Sequence, residues 1–335
     1  MRLMAAVLLL TVIVAKESHA QSKTGTTIGQ FMNIEPGARH AGMGNAGVAL
    51  DGGIQSVYYN PAALGAMEAG AIQFTHSEWF AGINYDYAAG VLHLSGLGTF
   101  MAGVTALNSG DIEVRTVSRP LGTGELYSAS DIGLSLGYGR KITSRFSAGV
   151  RLNYVHESIW NSGENHATVD VGSVYQLSES GLKLGAGISN VGTNARYTGS
   201  DLAIQYDGDP DRYGDNSALP AGQFTDRYPV PILFRVGVAW PKPLGDNSRL
   251  LLAADAFHPS DNTESVSGGA EWTYRNTMSL RAGYQNLFQP ESSVGLTLGV
   301  GIQGGGTGGR YHFDYAWADH EFLQETHRLT FVLNF

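Results

Sequence analysis

The feature that most restricts how this chain can fold is an alternation of period two that begins near Gly70 and runs to the C-terminus. Successive side chains of an extended strand point to opposite faces, so such a run is a strand with two chemically different sides. Phe146, Ala148, Val150, Leu152 and Tyr154 alternate with Ser147, Gly149, Arg151 and Asn153, and Ile232, Phe234, Val236, Val238 and Trp240 repeat the pattern. Segments of this kind fall at 70–76, 82–93, 98–106, 130–140, 144–156, 167–177, 181–190, 231–241, 249–258, 266–274, 277–285, 294–303, 309–317 and 326–335, fourteen in all. Several reach the ~9–11 residues of a tilted membrane-crossing strand, and single-chain bacterial outer-membrane barrels use an even number of them.

The connections alternate as well. Those at 94–97, 141–143, 178–180, 242–248, 275–276 and 304–308 are short, whereas the intervening ones include 107–129, 157–166 and 191–230. Outer-membrane barrels have short periplasmic turns and longer external loops, so with a periplasmic N-terminus every long connection falls outside. A sheet in lipid must close, because an open edge leaves backbone groups unpaired at several kcal/mol each. A soluble sandwich would instead turn a strongly charged face to water. Here only 15% of residues are charged, and glycine or serine fills many polar positions. The expectation is an all-β, transmembrane antiparallel barrel of about 14 strands over residues 70–335. Tyr85, Tyr87, Tyr138, Tyr154, Trp160, Trp240, Trp272, Tyr274, Tyr284, Tyr315 and Trp317 lie mostly near strand ends, where aromatic belts meet the headgroups.

Residues 1–20 place Arg2 before an apolar run from Leu3 to Ala15 and end on Ser18-His19-Ala20, the pattern of a cleaved secretory signal peptide. That directs the chain to the outer membrane of a Gram-negative-type bacterium, with outer-membrane lipid around it. Cysteine is absent, which excludes disulfide scaffolds, thiolate metal sites and thiol catalysis. The net charge of −9 disfavours nucleic-acid binding. Glycine, at 45 residues, is roughly twice as common as usual.

Residues 21–69 do not alternate and are too long for a lead-in. They carry Gly42-Met43-Gly44-Asn45-Ala46-Gly47 and Tyr58-Tyr59-Asn60-Pro61-Ala62-Ala63-Leu64, in which Asn60 can cap a short helix opened by Pro61. A barrel of this strand number encloses a real lumen, which this segment could fill as a plug. The alternative is a periplasmic tail covering only the barrel mouth. The inward faces would hold Asp86, Arg151, Asp170, Lys183, Arg235, Asp255, Glu271, Arg281 and Asp314, charges that can pair with one another or hold the plug. Arg151, Arg235 or Arg281 could also meet a carboxylate ligand.

With its GMGNAG run, YYNPAAL motif, signal peptide and strand count, the chain resembles the FadL-like outer-membrane barrels, and within them the PorV/PorQ family associated with type IX secretion. The resemblance implies a luminal plug or hatch, with Gly42, Met43, Gly44, Asn60, Pro61 and Ala62 as its motif. It implies one of two functions. The first is a secretion partner that receives or anchors secreted cargo, docking cargo and secretion components on the loops at 107–129 and 191–230. The second is a channel for long-chain fatty acids or other hydrophobic compounds, with an internal pocket and a lateral opening. The last strand presents Leu329, Phe331, Leu333 and Phe335 on one face, and Phe331 with the terminal Phe335 resembles the signal read by the barrel assembly machinery.

No catalytic constellation stands out. There is no nucleophile elbow, and the glycine run at 304–309 lacks the lysine of a phosphate loop. The histidines at 156, 166, 258, 312, 320 and 327 show no zinc spacing, and the acidic stretch 206–215 fails the helix-loop-helix calcium pattern. No metal, cofactor or enzymatic activity is therefore expected.

Overall fold

A computed structural model describes residues 23–209, 211–212, 218–289, 292, 294–306, 308–321 and 323–335; the expected signal peptide lies outside them. Fourteen strands form the wall: β1 Ala71–Glu78, β2 Asn84–Leu94, β3 Gly98–Asn108, β4 Ala129–Lys141, β5 Phe146–Ile159, β6 Ser162–Gln176, β7 Lys183–Gly192, β8 Leu233–Pro243, β9 Ser248–Pro259, β10 Ser265–Tyr274, β11 Met278–Leu287, β12 Val294–Gly306, β13 Gly309–His320 and β14 Gln324–Asn334. Each pairs antiparallel with the next, and β14 returns to β1 with Ala71 opposite Asn334 and Glu78 opposite His327. The ring is closed, as a sheet in hydrocarbon must be.

The two faces separate as the alternation requires. Phe74, Leu92, Phe100, Leu134, Leu136, Leu152, Val171, Leu280, Leu298 and Phe313 stand exposed on the outside, where lipid would cover them. Inside, Arg151, Asn153, Thr168, Asp170, Ser267, Glu271, Thr297 and Thr330 are buried. Polar groups are tolerated there because partners are at hand, as the later contacts show. Register sets several of those partners directly: Arg151 faces Asp170, and Glu271 faces Arg281.

What buries the inner face is the segment before β1. It carries short helical turns at Gln30–Asn33, Ala38–Ala41, Ile54–Ser56 and Pro61–Ala66, and it runs the height of the lumen. At one end the Lys23 N–H bonds the Asp261 carbonyl at 3.1 Å, and at the other the Phe335 N–H bonds the Gly70 carbonyl at 2.9 Å. Residue 23 therefore sits at the mouth that carries the long connections, at the opposite end from where β1 begins.

Three expectations change. The long connection foreseen at 157–166 is absent, because β5 and β6 continue to Ile159 and Ser162 and leave Trp160 and Asn161 as the turn. Glu157, Glu164 and His166 look like loop residues in sequence, yet they extend the buried inward row. The connections 109–128 and 193–232 do protrude, each with a small hairpin, Ile112–Glu113 with Leu126–Tyr127 and Ala203–Tyr206 with Leu219–Gly222. The second folds back on the β5–β6 turn, where Asp201 accepts the Asn161 N–H at 2.9 Å and its amide at 3.0 Å. Those hydrogen bonds hold the Asp201 carboxyl below the usual carboxylate range. Finally, Tyr85 and Tyr87 are not belt residues. They point inward with Ala89 and Val91 and pack against Ile54, Val57, Leu64 and Met67 of the plug, whereas Tyr154, Trp240, Trp272 and Tyr284 do face outward.

If Leu136 faces hydrocarbon, Leu136→Arg should lower folding stability in lipid vesicles by about 2–4 kcal/mol, the range for a cation near the bilayer midplane. A denaturant titration followed by heat-modifiable migration measures this.

Candidate functional site

The plug is seated on glycines. A Cβ at Gly149 of β5 would overlap the Pro61 carbonyl, one at Gly172 of β6 would overlap the Asn60 side chain, one at Gly269 of β10 the Met43 carbonyl, and one at Gly283 of β11 the Gly44 nitrogen. At Gly149, Gly269 and Gly283 plug backbone lies directly against wall backbone. The two sequence motifs make the contacts. Asn60 accepts the Ala62 N–H at 3.0 Å, which starts the turn opened by Pro61, and its amide donates to the carbonyls of Val48 at 2.8 Å and Ser173 at 2.9 Å. Ala62 is fully buried in that turn. Gly42 packs against Gly299 of β12, Gly44 donates its N–H to Thr297 at 2.9 Å, and Met43 enters an apolar cluster with Ala239, Leu251 and Ala253.

The inward charges form four separate arrangements rather than one network. Arg39 of the plug grips both oxygens of Glu271 at 2.8 Å, Arg281 reaches Glu271 at 2.7 Å and Asp314 at 2.8 Å, and the Gln55 amide donates to Asp314 at 2.7 Å. This cluster couples two plug residues to three strands. Asp255 meets no cation at pairing distance among the described residues. One of its oxygens instead accepts the backbone N–H groups of Gly47 and Val48 at 2.7 and 2.8 Å. Lys183 pairs with Asp51 of the plug. Asp170 binds Arg151 at 2.6 Å, the Asn153 amide at 3.0 Å and the Asn190 N–H at 2.7 Å.

Arg235 lies buried over the rings of Tyr58 and Tyr59, at 5.6 and 5.8 Å, with no carboxylate at pairing distance among the described residues. Arg151 and Arg281 are already engaged by carboxylates. Asp86 is a correction: it is on the outward face of β2, more than half exposed, with His76 at 2.8 Å. Its neighbours Tyr85 and Tyr87 take the inner face because the plug offers them an apolar surface. Phe331 stands outward against Phe313, with ring centres 5.4 Å apart, and Phe335 packs over Gly70.

Spaces remain between plug and wall. An inner cavity of about 30 Å³ is bounded by Phe31, Met32 and Tyr58 of the plug and by Tyr85, Tyr87 and Val155 of the wall. A larger one of about 240 Å³ opens at the mouth beside Trp79, Phe80, His320 and Arg328. On the lipid side a depression of about 400 Å³ lies over Phe74, His76, Asp86, Ala88, Val104 and Phe331. Tyr87 borders both the inner cavity and this depression, and its buried hydroxyl has no hydrogen-bond partner.

No protein-family model matches the chain, and no curated protein matches it. Solved structures do. The Pseudomonas putida toluene transporter TodX aligns with a TM-score of 0.54 at 14% identity, over 90% of this chain and 98% of its own. The CymD monoaromatic hydrocarbon channel aligns at 0.57 and 16%, over 90% and 98%, and a Pseudomonas aeruginosa FadL homologue at 0.50 and 11%, over 89% and 97%. What is shared is the fold. It is the fold of a toluene transporter and a monoaromatic hydrocarbon channel, and its closed wall with an apolar outer face is an outer-membrane architecture.

The expected PorV/PorQ assignment is overturned by these matches, which run nearly end to end along hydrocarbon channels and a FadL homologue. The secretion-partner reading falls with it, along with secreted cargo and type IX components as partners of the loops at 107–129 and 191–230. The resemblance had rested on glycine and NPA motifs, and in the structure these serve to seat a plug, a need that any plugged barrel of this build shares.

Sequence reasoning missed Arg39, Asp51 and Gln55, because a segment without periodicity gives no face to a side chain. Glu271→Gln should leave Arg39 without its carboxylate and Arg281 with Asp314 alone, and cost about 3–5 kcal/mol. Urea unfolding in micelles, read together with protease cleavage within 37–67, measures that loss.

Proposed function

We propose that this protein is an outer-membrane channel for hydrophobic small molecules, which enter at the mouth and leave the lumen sideways through the wall at Tyr87. The observation that carries the reading is that Tyr87 borders both an inner cavity shared with Phe31, Tyr58 and Tyr85 and a depression on the lipid face. Apolar solutes gain nothing from a water-filled exit, and a lateral one delivers them to hydrocarbon. The fold shared with a toluene transporter and a monoaromatic hydrocarbon channel supports the same class of solute.

At about 30 Å³ the inner cavity is two to three times the ~10–15 Å³ that admits one water, and far too small for an aromatic ring. Passage of a ring therefore requires Phe31, Met32 and Tyr58 to shift, which makes the plug the moving part. The ion cluster at Arg39 and the nest at Asp255 hold its lower half, so the displacement is assigned to residues 28–36, whose hydrogen bonds to Pro229, Glu157, Asn190 and Tyr85 must part for it. Outer-membrane lipid is the receiving phase, and Phe331 with Phe335 would be read by the assembly machinery before insertion.

Uptake of a labelled monoaromatic hydrocarbon by cells lacking other such channels tests the proposal. Expression of the wild type should raise uptake, and Tyr87→Trp should lower it about tenfold, the scale of one misplaced contact in an apolar pocket. Uptake that does not respond to expression, or that is unchanged in a folded Tyr87→Trp variant, would contradict it.

A further inference from the structure

We propose that Glu157, Glu164 and His166 form a binding site for a divalent transition-metal cation of the zinc class, just inside the mouth of the lumen. The three side chains come from the β5–β6 hairpin, where Glu157 stands directly opposite Glu164 and His166 follows two residues on, on the same inward face. One ligand atom from each lies within 4.8 Å of the others. The side chains of Glu164 and His166 have no exposure to solvent, and Glu157 is nearly as buried.

Two observations point to a missing ligand. Glu164 Oε2 and His166 Nε2 are buried without any hydrogen-bond partner, while Glu164 Oε1 and His166 Nδ1 are 2.8 Å apart. Among the described residues no lysine or arginine pairs with Glu157 or Glu164, and Asp131 of β4 stands opposite Glu157 and adds a third carboxylate to the row. Facing carboxylates shielded from water need a proton or a cation between them, and for a cation a mixed carboxylate and imidazole set suits zinc and its first-row neighbours better than calcium or magnesium. The plug already reaches this point: the Gly29 N–H donates to both oxygens of Glu157 at 3.1 and 3.0 Å. Gly29 has φ 72° and approaches the His166 ring so closely that a side chain there would crowd it. A bound ion would thus tie the hairpin to the segment the proposed channel must move, although the site itself does not depend on what the channel carries.

The test is titration of the metal-stripped full chain in detergent with Co²⁺, followed by displacement with Zn²⁺. One Co²⁺ per chain with a visible absorption band is expected, and binding should weaken at least tenfold in Glu164→Gln and in His166→Gln. No stoichiometric uptake by the wild type overturns the proposal, as does undiminished uptake in either variant when it retains heat-modifiable migration. A readout without substitution covers variants that fail to fold: paramagnetic broadening should begin at the amides of Gly29 and His166, and broadening centred elsewhere overturns the assignment.

Discussion

Everything in this structure depends on backbone reaching backbone across the lumen. A barrel of fourteen strands encloses more space than its own side chains fill, and the chain solves this with a segment laid against glycines of the inner wall. Where Gly149, Gly172, Gly269 and Gly283 stand, any Cβ would occupy the place of plug atoms. Contact geometry thereby explains the glycines of the inner wall. It also explains why polar residues can line the inner face, since the plug supplies their partners and excludes water from most of them.

The electrostatics follow the same logic. Buried ions are costly unless each meets an opposite charge or several hydrogen bonds. Glu271 meets two arginines, one from the plug and one from the wall, and Asp255 meets two backbone N–H groups of the GMGNAG region. Both arrangements fix the lower and middle plug. Near the mouth the pattern changes: Arg235 and Arg328 lie over aromatic rings with a buried Nε unpartnered, and the Glu157–Glu164–His166 group lacks a cation. The anchored groups and the less satisfied ones thus lie at different heights of the lumen.

Much of the wall was legible because lipid enforces alternation at every strand, and the fourteen strands fall within a few residues of their expected positions apart from the extended β5–β6 hairpin. The plug's interior was not, since no period assigns its side chains to a face. Asp86 shows where alternation itself misleads. Tyr85 and Tyr87 could serve a headgroup belt or a plug contact, and only the apolar surface of Ile54, Val57 and Leu64 decides which face they take, sending Asp86 outward. Glu157 and Glu164 were hidden for a related reason, because charge on both sides of a turn reads as loop when the turn's partner inside the lumen is unseen. The functional subfamily was misjudged because motifs that seat a plug say little about what passes it.

The most direct test of the glycine seat is native-state hydrogen exchange on the folded barrel, comparing the wild type with Gly149→Val. Amides from Gly37 to Met67 should be protected like those of the strands in the wild type, and should lose protection selectively in the variant while β5 and its neighbours keep theirs. Free exchange of that segment in the wild type, or protection unaltered by the valine, would show that the wall and plug are not in contact as described.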